Sequence, residues 1–411
     1  MIYDVLIIGG GAAGLCSAVR LKMLNGSISV AIAEQLPRVG KKLITTGNGR
    51  CNITNKNISL DRYHGEEVSF SEYALKKYSN RQAESFFADI GVLFTFEGEK
   101  AYPYSLQASS VVDNLRFAAD RLGVEIFTEA KALDFNKSGD IFTVKCENTV
   151  LKAKNLIIAT GLYSGGEKLG SDGYFLRLLK QKGYNTVKTT PAIVQLKTDT
   201  ALTKSLKGIK VNAEASLLKG KKLLKKDFGE VLFCDYGLSG PPIMQLSRET
   251  ARSDGDFYIC LDIMPQYSKQ ELLELLKDRK LKLDGIQLEE FLTGMLNKRV
   301  GQAILKTAGL KLSDSAAYLS LDDLDRIAEL IKCLKLKVTG NTGFVNSQVT
   351  AGGISTKEID NKTMMSKRQK GLYFVGEIVD IDGDCGGFNL QWAWSSAFCA
   401  AESICSSGDK K

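Results

Sequence analysis

Three glycines near the start of the chain have the spacing of a phosphate-binding loop. Gly9, Gly11 and Gly14 follow an apolar run, IYDVLII, and precede a helix-like segment, LCSAVRLKML. In such a unit the first glycine permits a tight turn, the second lets backbone approach a pyrophosphate, and the third lets the helix pack on the strand. The helix N-terminus adds unpaired N–H groups and the positive end of its dipole. The pattern predicts a dinucleotide site, with Ala12 and Ala13 inside the loop.

An acidic residue follows at the distance expected for ribose binding. The second predicted strand, ISVAIAE, ends in Glu34, about 20 positions after the last glycine. A carboxylate there can bind the adenosine ribose hydroxyls and disfavours a ribose 2′-phosphate. The site therefore suits FAD or NAD rather than NADP.

Motifs further along the chain decide between these two cofactors. The strand LIIATG ends in Ala159, Thr160 and Gly161, and GLYFVGE ends in Gly376 and Glu377. The loop IDGDCGG then leads into a predicted helix, FNLQWAWSSAFCAAE. A late acid suits ribityl hydroxyls, and the N-terminus of the last helix suits the flavin edge where negative charge develops on reduction. A dehydrogenase that uses only NAD needs no second set of glycine-containing cofactor motifs near the C-terminus. The sequence therefore predicts FAD.

Four longer strings carry a resemblance to one family. They are GKKLITTGNGRCNITN (40–55), GEVLFCDYGLSGPP (229–242), VTAGGI (349–354) and DGDCGGFNLQWAWSSA (382–397). Through them essentially the whole chain resembles the bacterial aminoacetone-oxidase-like flavoproteins, a family that also contains the BaiN-type reductases of bile-acid metabolism. Both belong to the two-dinucleotide-binding-domain flavoproteins.

The resemblance implies which residues bind the cofactor. Asn48, Gly49, Arg50, Cys51 and Asn52 would line the isoalloxazine side. The complete predicted cofactor set is Gly9, Gly11, Ala12, Ala13, Gly14, Glu34, Gln35, Lys42, Asn48, Gly49, Arg50, Cys51, Asn52, Ala132, Ala159, Thr160, Gly161, Gly376, Glu377, Gly387, Phe388, Asn389 and Leu390. One departure is visible: the family has a histidine where the string FCDYG places Asp235, so a shared role for that position is in doubt.

The organisation of the chain predicts an α/β protein with an insertion. We expect a Rossmann-type FAD domain from residues 1–190 and 346–411, and an inserted antiparallel barrel-like domain from 191–267 and 336–345. From 268 the apolar period becomes helical, and Ser268 with Glu271 forms a capping-box pattern, which predicts a helical subdomain over 268–335. The polar tail SSGDKK is predicted to be disordered.

The composition and charge of the chain limit the kinds of binding partner that we expect. The 411 residues are 44% hydrophobic and 25% charged with a net charge of +8, and no run is long enough to span a membrane. We expect a cytoplasmic protein with a small-molecule substrate; its oligomeric state stays open. The basic run 219–227 is predicted to be a hairpin, and it lacks the interleaved aromatics of nucleic-acid binders, so no nucleic-acid partner is expected.

Nine scattered cysteines and one histidine match no common metal pattern and argue against a disulfide framework.

Few side chains are candidates for chemistry. His64 lies in a polar stretch and is predicted to be at the surface, while Cys51 and Cys385 lack CxxC partners and are expected to be packing residues. Arg50 and Lys42 are candidates for stabilising anionic flavin or phosphate. The segment 102–104, YPY, suits either a substrate wall or the core. No residue is assigned as the catalytic acid or base.

The function predicted from these features is hydride transfer between a small organic substrate and non-covalent FAD. One form is an aminoacetone-type amine oxidase. The other is an NAD(P)H-dependent reductase of an enone or steroid-like C=C bond, with transient docking of the nicotinamide. An RNA-modifying flavoprotein and a non-catalytic FAD-binding regulator are the alternatives from other classes.

Overall fold

The computed structural model describes residues 1–252 and 255–408. Within them the chain divides into two compact units. Unit 1 contains residues 1–191 and 344–408, and unit 2 contains residues 192–252 and 255–343.

Strands occur throughout both units. In chain order they are β1 (Tyr3–Ile8), β2 (Val30–Ala33), β3 (Thr54–Asn55), β4 (Tyr63–His64), β5 (Phe94–Glu97), β6 (Lys100–Pro103), β7 (Glu125–Phe127), β8 (Ala132–Ser138), β9 (Ile141–Cys146), β10 (Val150–Ile158), β11 (Thr186–Ala192), β12 (Leu196–Thr198), β13 (Lys210–Lys219), β14 (Lys222–Cys234), β15 (Gly237–Ser239), β16 (Phe257–Asp262), β17 (Leu334–Asn341), β18 (Val349–Ile354), β19 (Leu372–Phe374) and β20 (Asp382–Gly383).

The α-helices vary from single turns to one long C-terminal helix. They are α1 (Ala12–Leu24), α2 (Lys41–Ile44), α3 (Glu72–Lys77), α4 (Asn80–Asp89), α5 (Ala108–Arg121), α6 (Tyr174–Gln181), α7 (Thr200–Ser205), α8 (Pro241–Arg252), α9 (Lys269–Lys282), α10 (Leu288–Phe291), α11 (Lys298–Thr307), α12 (Leu321–Lys332) and α13 (Phe388–Gly408).

The main sheet of unit 1 has the Rossmann-type arrangement predicted from the glycine loop. Its order is β7–β2–β1–β10–β9–β8, and β19 also pairs with β10. The pairs β7–β2, β2–β1, β1–β10 and β10–β19 are parallel, whereas β9 is antiparallel to β10 and β8. Every residue of β2 and β19 is buried, as expected for apolar parallel strands covered on both faces. The sheet thus joins strands from both ends of the chain.

Helix α13 completes the core of this unit. It packs against α1, and its two tryptophans, Trp392 and Trp394, are 1% and 0% exposed. Three short sheets lie outside the main one: β3–β6–β5, β4–β20 and β11–β18. The helix runs to Gly408, so the prediction of disorder is wrong for 406–408, and 409–411 lie outside the described residues.

Unit 2 is the predicted antiparallel barrel with helices. Its strands close in the order β12–β15–β14–β13–β16–β17, and the basic run forms the β13–β14 hairpin, as predicted. Helix α9 begins with the predicted capping box, in which the Ser268 hydroxyl accepts from the Glu271 N–H and the Glu271 carboxylate accepts from the Ser268 N–H. Buried side chains of the barrel, such as Leu261, share one apolar cluster with helical residues such as Leu276 and Ile327.

The cysteines include one disulfide that the sequence did not predict. Cys260, on β16, and Cys333, directly after α12, form a disulfide with their Cα atoms 5.0 Å apart. The other seven cysteines form no disulfide within the described residues, and four of them are buried. None of the helices in the described ranges is both long enough and apolar enough to cross a membrane.

The shared cluster of unit 2 predicts cooperative unfolding of barrel and helices. Replacing the fully buried Leu276 with Ala should lower the free energy of unfolding by about 2–5 kcal/mol, because a cavity forms beneath both parts. Native-state hydrogen exchange should show faster exchange for the amides of β13 and α12 together. Accelerated exchange in α12 alone would show that the barrel is stable without the helices.

Candidate functional site

The glycine loop separates positions that must pack closely from one that stays open. A Cβ atom on Gly9 would lie 2.6 Å from the Ala159 carbonyl oxygen, and one on Gly14 would collide with the Gly9 carbonyl oxygen. Gly9 also has a φ of +101°, which favours glycine. A Cβ on Gly11 would meet no atom within 4 Å. The N-terminus of α1 therefore presents an accessible backbone surface at Gly11, as a pyrophosphate site requires.

Glu34 is held directly behind this loop. Its two carboxylate oxygens accept from the N–H groups of Gly10, at 2.7 Å, and Leu36, at 2.8 Å. Burial raises the pKa of the Glu34 carboxyl, and these two N–H donors act in the opposite direction. A carboxylate oxygen has more than one acceptor position, so the group can still accept from a ribose hydroxyl.

Neighbouring predicted residues support the position of Glu34. The Gln35 side chain donates to the Gly170 carbonyl oxygen at 2.6 Å. The Ala130 N–H donates to the Glu34 carbonyl oxygen at 2.9 Å, and Ala132 starts β8 two residues later. Ala12 and Ala13 begin α1, as the loop pattern predicts.

A salt bridge joins the first and last parts of the chain. Lys42 Nζ lies 2.5 Å from Glu377 Oε2, and the other Glu377 oxygen accepts from the Thr350 N–H at 2.9 Å. The two side chains are 26% and 17% exposed. Gly161 belongs to the same region, since a Cβ on it would be 3.9 Å from Glu377 Oε2. Lys42 therefore forms its salt bridge with Glu377. The position of Lys42 in the sequence does not predict this partner.

A small polar network behind Glu377 is not apparent from the sequence. The Thr350 hydroxyl oxygen accepts from the N–H groups of Tyr163 and Ser164, at 3.2 and 3.1 Å, and it lies 2.8 Å from the Ser164 hydroxyl. Ser347 donates to Ser164 at 3.1 Å. Thr350 lies within the string VTAGGI, and the resemblance carried by that string was the one sequence feature that pointed to this region. The network fixes the loop after Thr160 and Gly161 relative to β18.

The turn over residues 47–51, GNGRC, contains four residues with left-handed backbone, and only Arg50 among the five has a negative φ, of −101°. Gly47, Asn48, Gly49 and Cys51 have φ values of +58°, +55°, +81° and +58°. Glycine tolerates this region without strain and asparagine is enriched in it, whereas it is uncommon for cysteine. Asn48 and Gly49 are exposed, and a Cβ on Gly49 would meet nothing within 4 Å. The turn therefore presents an open backbone surface at Asn48 and Gly49.

Arg50 and Cys51 leave this turn in different environments. Arg50 forms an ion pair with Glu97 at 2.7 Å, and its guanidinium lies 4.6 Å from the centre of the Tyr102 ring. Cys51 is fully buried, and burial raises the pKa of its thiol to about 12. The thiol is therefore protonated at neutral pH, as expected for a packing residue.

The two most unusual strings of the sequence contact each other. The Thr54 hydroxyl bonds to the Gln391 amide oxygen at 2.5 Å, and the Trp394 indole N–H donates to the Ile53 carbonyl oxygen at 2.9 Å. Asn55 donates to the Gly386 carbonyl oxygen at 2.9 Å. These bonds place the residues after NGRC against the N-terminus of α13.

The N-terminus of α13 has the form predicted from its glycines. Gly387 has a φ of +97°, and a Cβ on it would lie 2.7 Å from the Thr54 carbonyl group. The Gln391 N–H makes an intrahelical bond to the Gly387 carbonyl oxygen, so the amides of residues 388–390 precede the hydrogen-bond ladder. Asn389 fixes the preceding loop through 2.8 Å bonds to both backbone groups of Gly383. Gly376 approaches α1, where a Cβ on it would be 2.9 Å from Ala13 Cβ.

The remaining predicted residues lie at the edges of these loops. Ala159 continues the sheet through its N–H bond to Ile8, Thr160 follows it, Phe388 is 4% exposed, and Leu390 packs partly buried against the core. Unit 1 thus holds every residue of the predicted cofactor set. Asp235 lies in unit 2, where it is exposed and paired with Lys207 at 2.6 Å. That ion pair lowers the pKa of the Asp235 carboxyl.

His64 is half-buried and paired, so it is less free than its polar stretch predicts. His64 ends β4, which pairs with β20, and its side chain is 22% exposed. Its Nε2 lies 2.7 Å from Asp384 Oδ1, inside the loop that precedes Gly387. Polar flanking residues suggested solvent, but the pairing with a strand more than 300 positions away is a tertiary contact that local composition cannot show.

The residues of unit 1 fit an FAD molecule. Gly11 leaves an open face at a helix N-terminus, and Glu34 lies behind it. Asn52 is 8% exposed, and among the described residues its Oδ1 atom has no hydrogen-bond partner. A buried polar atom without a partner is costly, so a donor from a bound group would satisfy it. Glu377 and the α13 N-terminus are the groups that would supply an acid and free amides to the ribityl and flavin portions.

Gly11→Val should separate cofactor binding from folding. The new side chain meets no protein atom at its Cβ, so the fold should keep its thermal stability within a few degrees, whereas FAD affinity should fall at least about tenfold by obstruction of the pyrophosphate. Gly14→Val is the contrasting variant, and it should fail to fold stably. The checks are thermal unfolding and fluorescence titration with FAD. Unchanged FAD affinity in Gly11→Val would remove the loop from the site.

Lys42 and Glu377 should be energetically coupled. Lys42→Met leaves a largely buried carboxylate without its cation and should destabilise the FAD-free protein, whereas Lys42→Met combined with Glu377→Gln should recover part of the loss. A double-mutant cycle by urea unfolding should give a coupling of about 1–2 kcal/mol. Additive effects would mean that the salt bridge contributes nothing to stability.

Comparisons with known proteins identify the family of the chain. The family model described as the HI0933-like protein Rossmann domain matches residues 3–403. The chain is 32% identical over 397 residues to a 3-dehydro-bile acid delta(4,6)-reductase of Clostridium scindens, covering 96% of this chain and 97% of the relative. It is 29% identical over 407 residues to a ribosomal RNA dihydrouridine synthase of Haemophilus influenzae, covering 97% and 98%.

Among solved structures, the fold is similar to that of a 3-ketosteroid delta1-dehydrogenase from Sterolibacterium denitrificans. The TM-score is 0.52 at 14% identity, covering 99% of this chain and 100% of the other. At that identity the likeness concerns the fold alone. The family match extends over almost the whole sequence. The chain belongs to the HI0933-like Rossmann family and is an FAD-dependent oxidoreductase.

Proposed function

We propose that the protein is a reductase of C=C bonds conjugated with a carbonyl group, with NADH or NADPH as the hydride source. The observation that carries the proposal is the near full-length similarity to two relatives whose names describe such bonds. A 3-dehydro-bile acid with delta(4,6) unsaturation has a carbonyl conjugated with its double bonds. Dihydrouridine is uridine with two hydrogens added across the C5=C6 bond, next to the C4 carbonyl. The shared chemistry is hydride addition to an electron-poor alkene.

The overall reaction is balanced by the nicotinamide. NAD(P)H and one proton are consumed, the C=C bond becomes CH–CH, and NAD(P)⁺ is released. Bound FAD supplies the capacity to accept a hydride from one partner and donate it to the other. The protein's own part is to hold the cofactor, orient the acceptor and stabilise the charge that develops.

Arg50 is the cation best placed for that last task. When hydride reaches the β-carbon of a conjugated carbonyl compound, negative charge moves to the carbonyl oxygen, and a fixed cation stabilises it. Glu97 and the face of Tyr102 hold the Arg50 guanidinium beside the NGRC turn, so little reorientation is needed. Cys51 cannot serve as a thiolate relay because its thiol is buried and protonated. This supports direct hydride transfer between substrate and cofactor.

The other form of the predicted activity, an aminoacetone-type oxidase, receives less support. The relatives above are named for addition of hydrogen to an unsaturated ring rather than for removal of hydrogen from an amine. The proposed hydride acceptor is therefore a class of compounds that includes steroid-like enones and the uracil ring of RNA.

An anaerobic titration of the FAD-loaded protein tests the proposal. NADH or NADPH should bleach the flavin absorbance, and a 3-oxo-4,6-diene steroid or uridine-containing RNA should restore it while gaining two hydrogens by mass spectrometry. Arg50→Lys, which keeps the charge, should retain more activity than Arg50→Met, which should slow the oxidative half-reaction on the order of 100-fold. Bleaching by aminoacetone alone, with recovery on admission of air, would instead identify an amine oxidase and contradict the proposal.

A further inference from the structure

The outer surface of the unit 2 barrel carries an ordered set of lysines. On β13, Ala215 and Leu217 are fully buried, so the alternating residues Ser216 and Leu218 face outwards. Two cross-strand rows run over β14, β13, β16 and β17. Their members in register are Lys226, Ser216, Cys260 and Lys335 in one row, and Leu223, Leu218, Tyr258 and Lys337 in the other.

The hairpin turn adds further positive charge beside these rows. Lys219, Lys221 and Lys222 surround the turn at Gly220, and the latter two are exposed. Together these residues form the basic face, which consists of Lys219, Lys221, Lys222, Lys226, Phe228, Tyr258, Lys335 and Lys337.

The carboxylates on this surface do not cancel its charge. Glu214 pairs with Lys226 at 3.0 Å and Asp256 with Lys337 at 2.9 Å. Asp262 pairs at 2.6 Å with Lys332, which lies outside the basic face. Among the described residues, no carboxylate forms an ion pair with Lys221, Lys222 or Lys335. Surface pairs of this kind contribute little stability and exchange readily with other ions. The basic face therefore keeps an excess of positive charge.

Aromatic side chains lie within the same surface. Phe228 is 61% exposed on β14, and the Tyr258 ring lies 4.2 Å from Lys335 Nζ. The expectation of no nucleic-acid partner rested on the lack of aromatics within 219–227, but barrel closure brings Tyr258 from a strand about 40 positions away in sequence. Lysines bind phosphates and exposed aromatics stack on bases, which is the combination that single-stranded RNA requires.

We infer that the basic face binds the backbone of an RNA strand. The inference rests on the proposed function and names its acceptor class, since an RNA held there would supply a uracil ring as the conjugated C=C bond. The occupant is RNA rather than a membrane surface, because exposed aromatics interleaved with lysines provide stacking for bases as well as charge for phosphates. A purely electrostatic membrane contact has no need of Phe228 or Tyr258.

Binding of a fluorescent, uridine-containing single-stranded RNA to the FAD-loaded protein tests this inference. Lys221→Gln, Lys222→Gln and Lys335→Gln together should weaken binding at least about tenfold at low salt and lower the slope of log affinity against log salt by about 2, since each lost phosphate contact removes ~0.7. The matched control, Lys298→Gln, Lys306→Gln and Lys311→Gln, removes the same charge from exposed lysines in and shortly after α11 and should leave RNA affinity within about twofold. Phe228→Ala should weaken binding without changing the salt slope.

The outcomes separate this inference from the proposed function. Equal loss of RNA affinity in both triple variants would show that only the net charge of the protein matters. That result would overturn the inference that the basic face binds RNA. Binding to anionic phospholipid vesicles but not to RNA would overturn it too. Selective loss of RNA binding, with unchanged flavin bleaching by NADPH and unchanged reduction of a free enone, supports both proposals. Selective loss of RNA binding in a protein that reduces no conjugated alkene would support the basic face and contradict the proposed reaction.

Discussion

Buried hydrogen bonds join residues 53–54 to the first turns of α13 in unit 1. Thr54 bonds to Gln391, and the Trp394 indole donates to the Ile53 carbonyl group, across more than 330 sequence positions. Both ends of each bond are buried, so losing one partner would leave an unsatisfied polar group and cost about 1–3 kcal/mol. These bonds hold the segment after the NGRC turn against the α13 N-terminus, the arrangement that the predicted FAD site requires.

Electrostatic contacts extend the same arrangement. The Lys42–Glu377 salt bridge joins α2 to the loop after β19, and the Glu377 carboxylate also accepts from Thr350. Glu34 is held by two backbone N–H groups at the opposite end of the predicted cofactor path. Each acid is therefore oriented by the protein before any ligand binds, which lowers the entropy cost of binding. The proposed hydride transfer depends on this fixed geometry rather than on a reactive thiol.

Local patterns in the sequence predict the elements that local forces determine. The glycine loop, the capping box of Ser268 and Glu271, and the β13–β14 hairpin all follow from backbone conformations and short-range hydrogen bonds. The cofactor class followed from motif order along the chain and from the resemblance carried by long strings. Assignment of individual residues to FAD remains a prediction, supported by the open face at Gly11 and the unpartnered Asn52 oxygen.

Partners that are far apart in sequence could not be predicted. His64 lies in a polar stretch, yet its contacts with β20 and Asp384 depend on strand pairing across the whole chain. The Cys260–Cys333 disulfide likewise joins residues that no spacing rule pairs. Tyr258 becomes a neighbour of Lys335 only when the barrel closes. In each case the decisive contact follows from topology, which composition and periodicity do not encode.

The measurement that tests the account most directly is titration of flavin-free protein with FAD, FMN and NAD⁺. FMN carries the flavin and ribityl groups but lacks the adenosine portion assigned to Gly11 and Glu34. The account predicts FAD binding at least about 100-fold tighter than FMN or NAD⁺, with FAD released intact on denaturation. Equal affinity for FAD and FMN, or preferential binding of NAD⁺, would contradict a site built from both ends of the chain around one FAD.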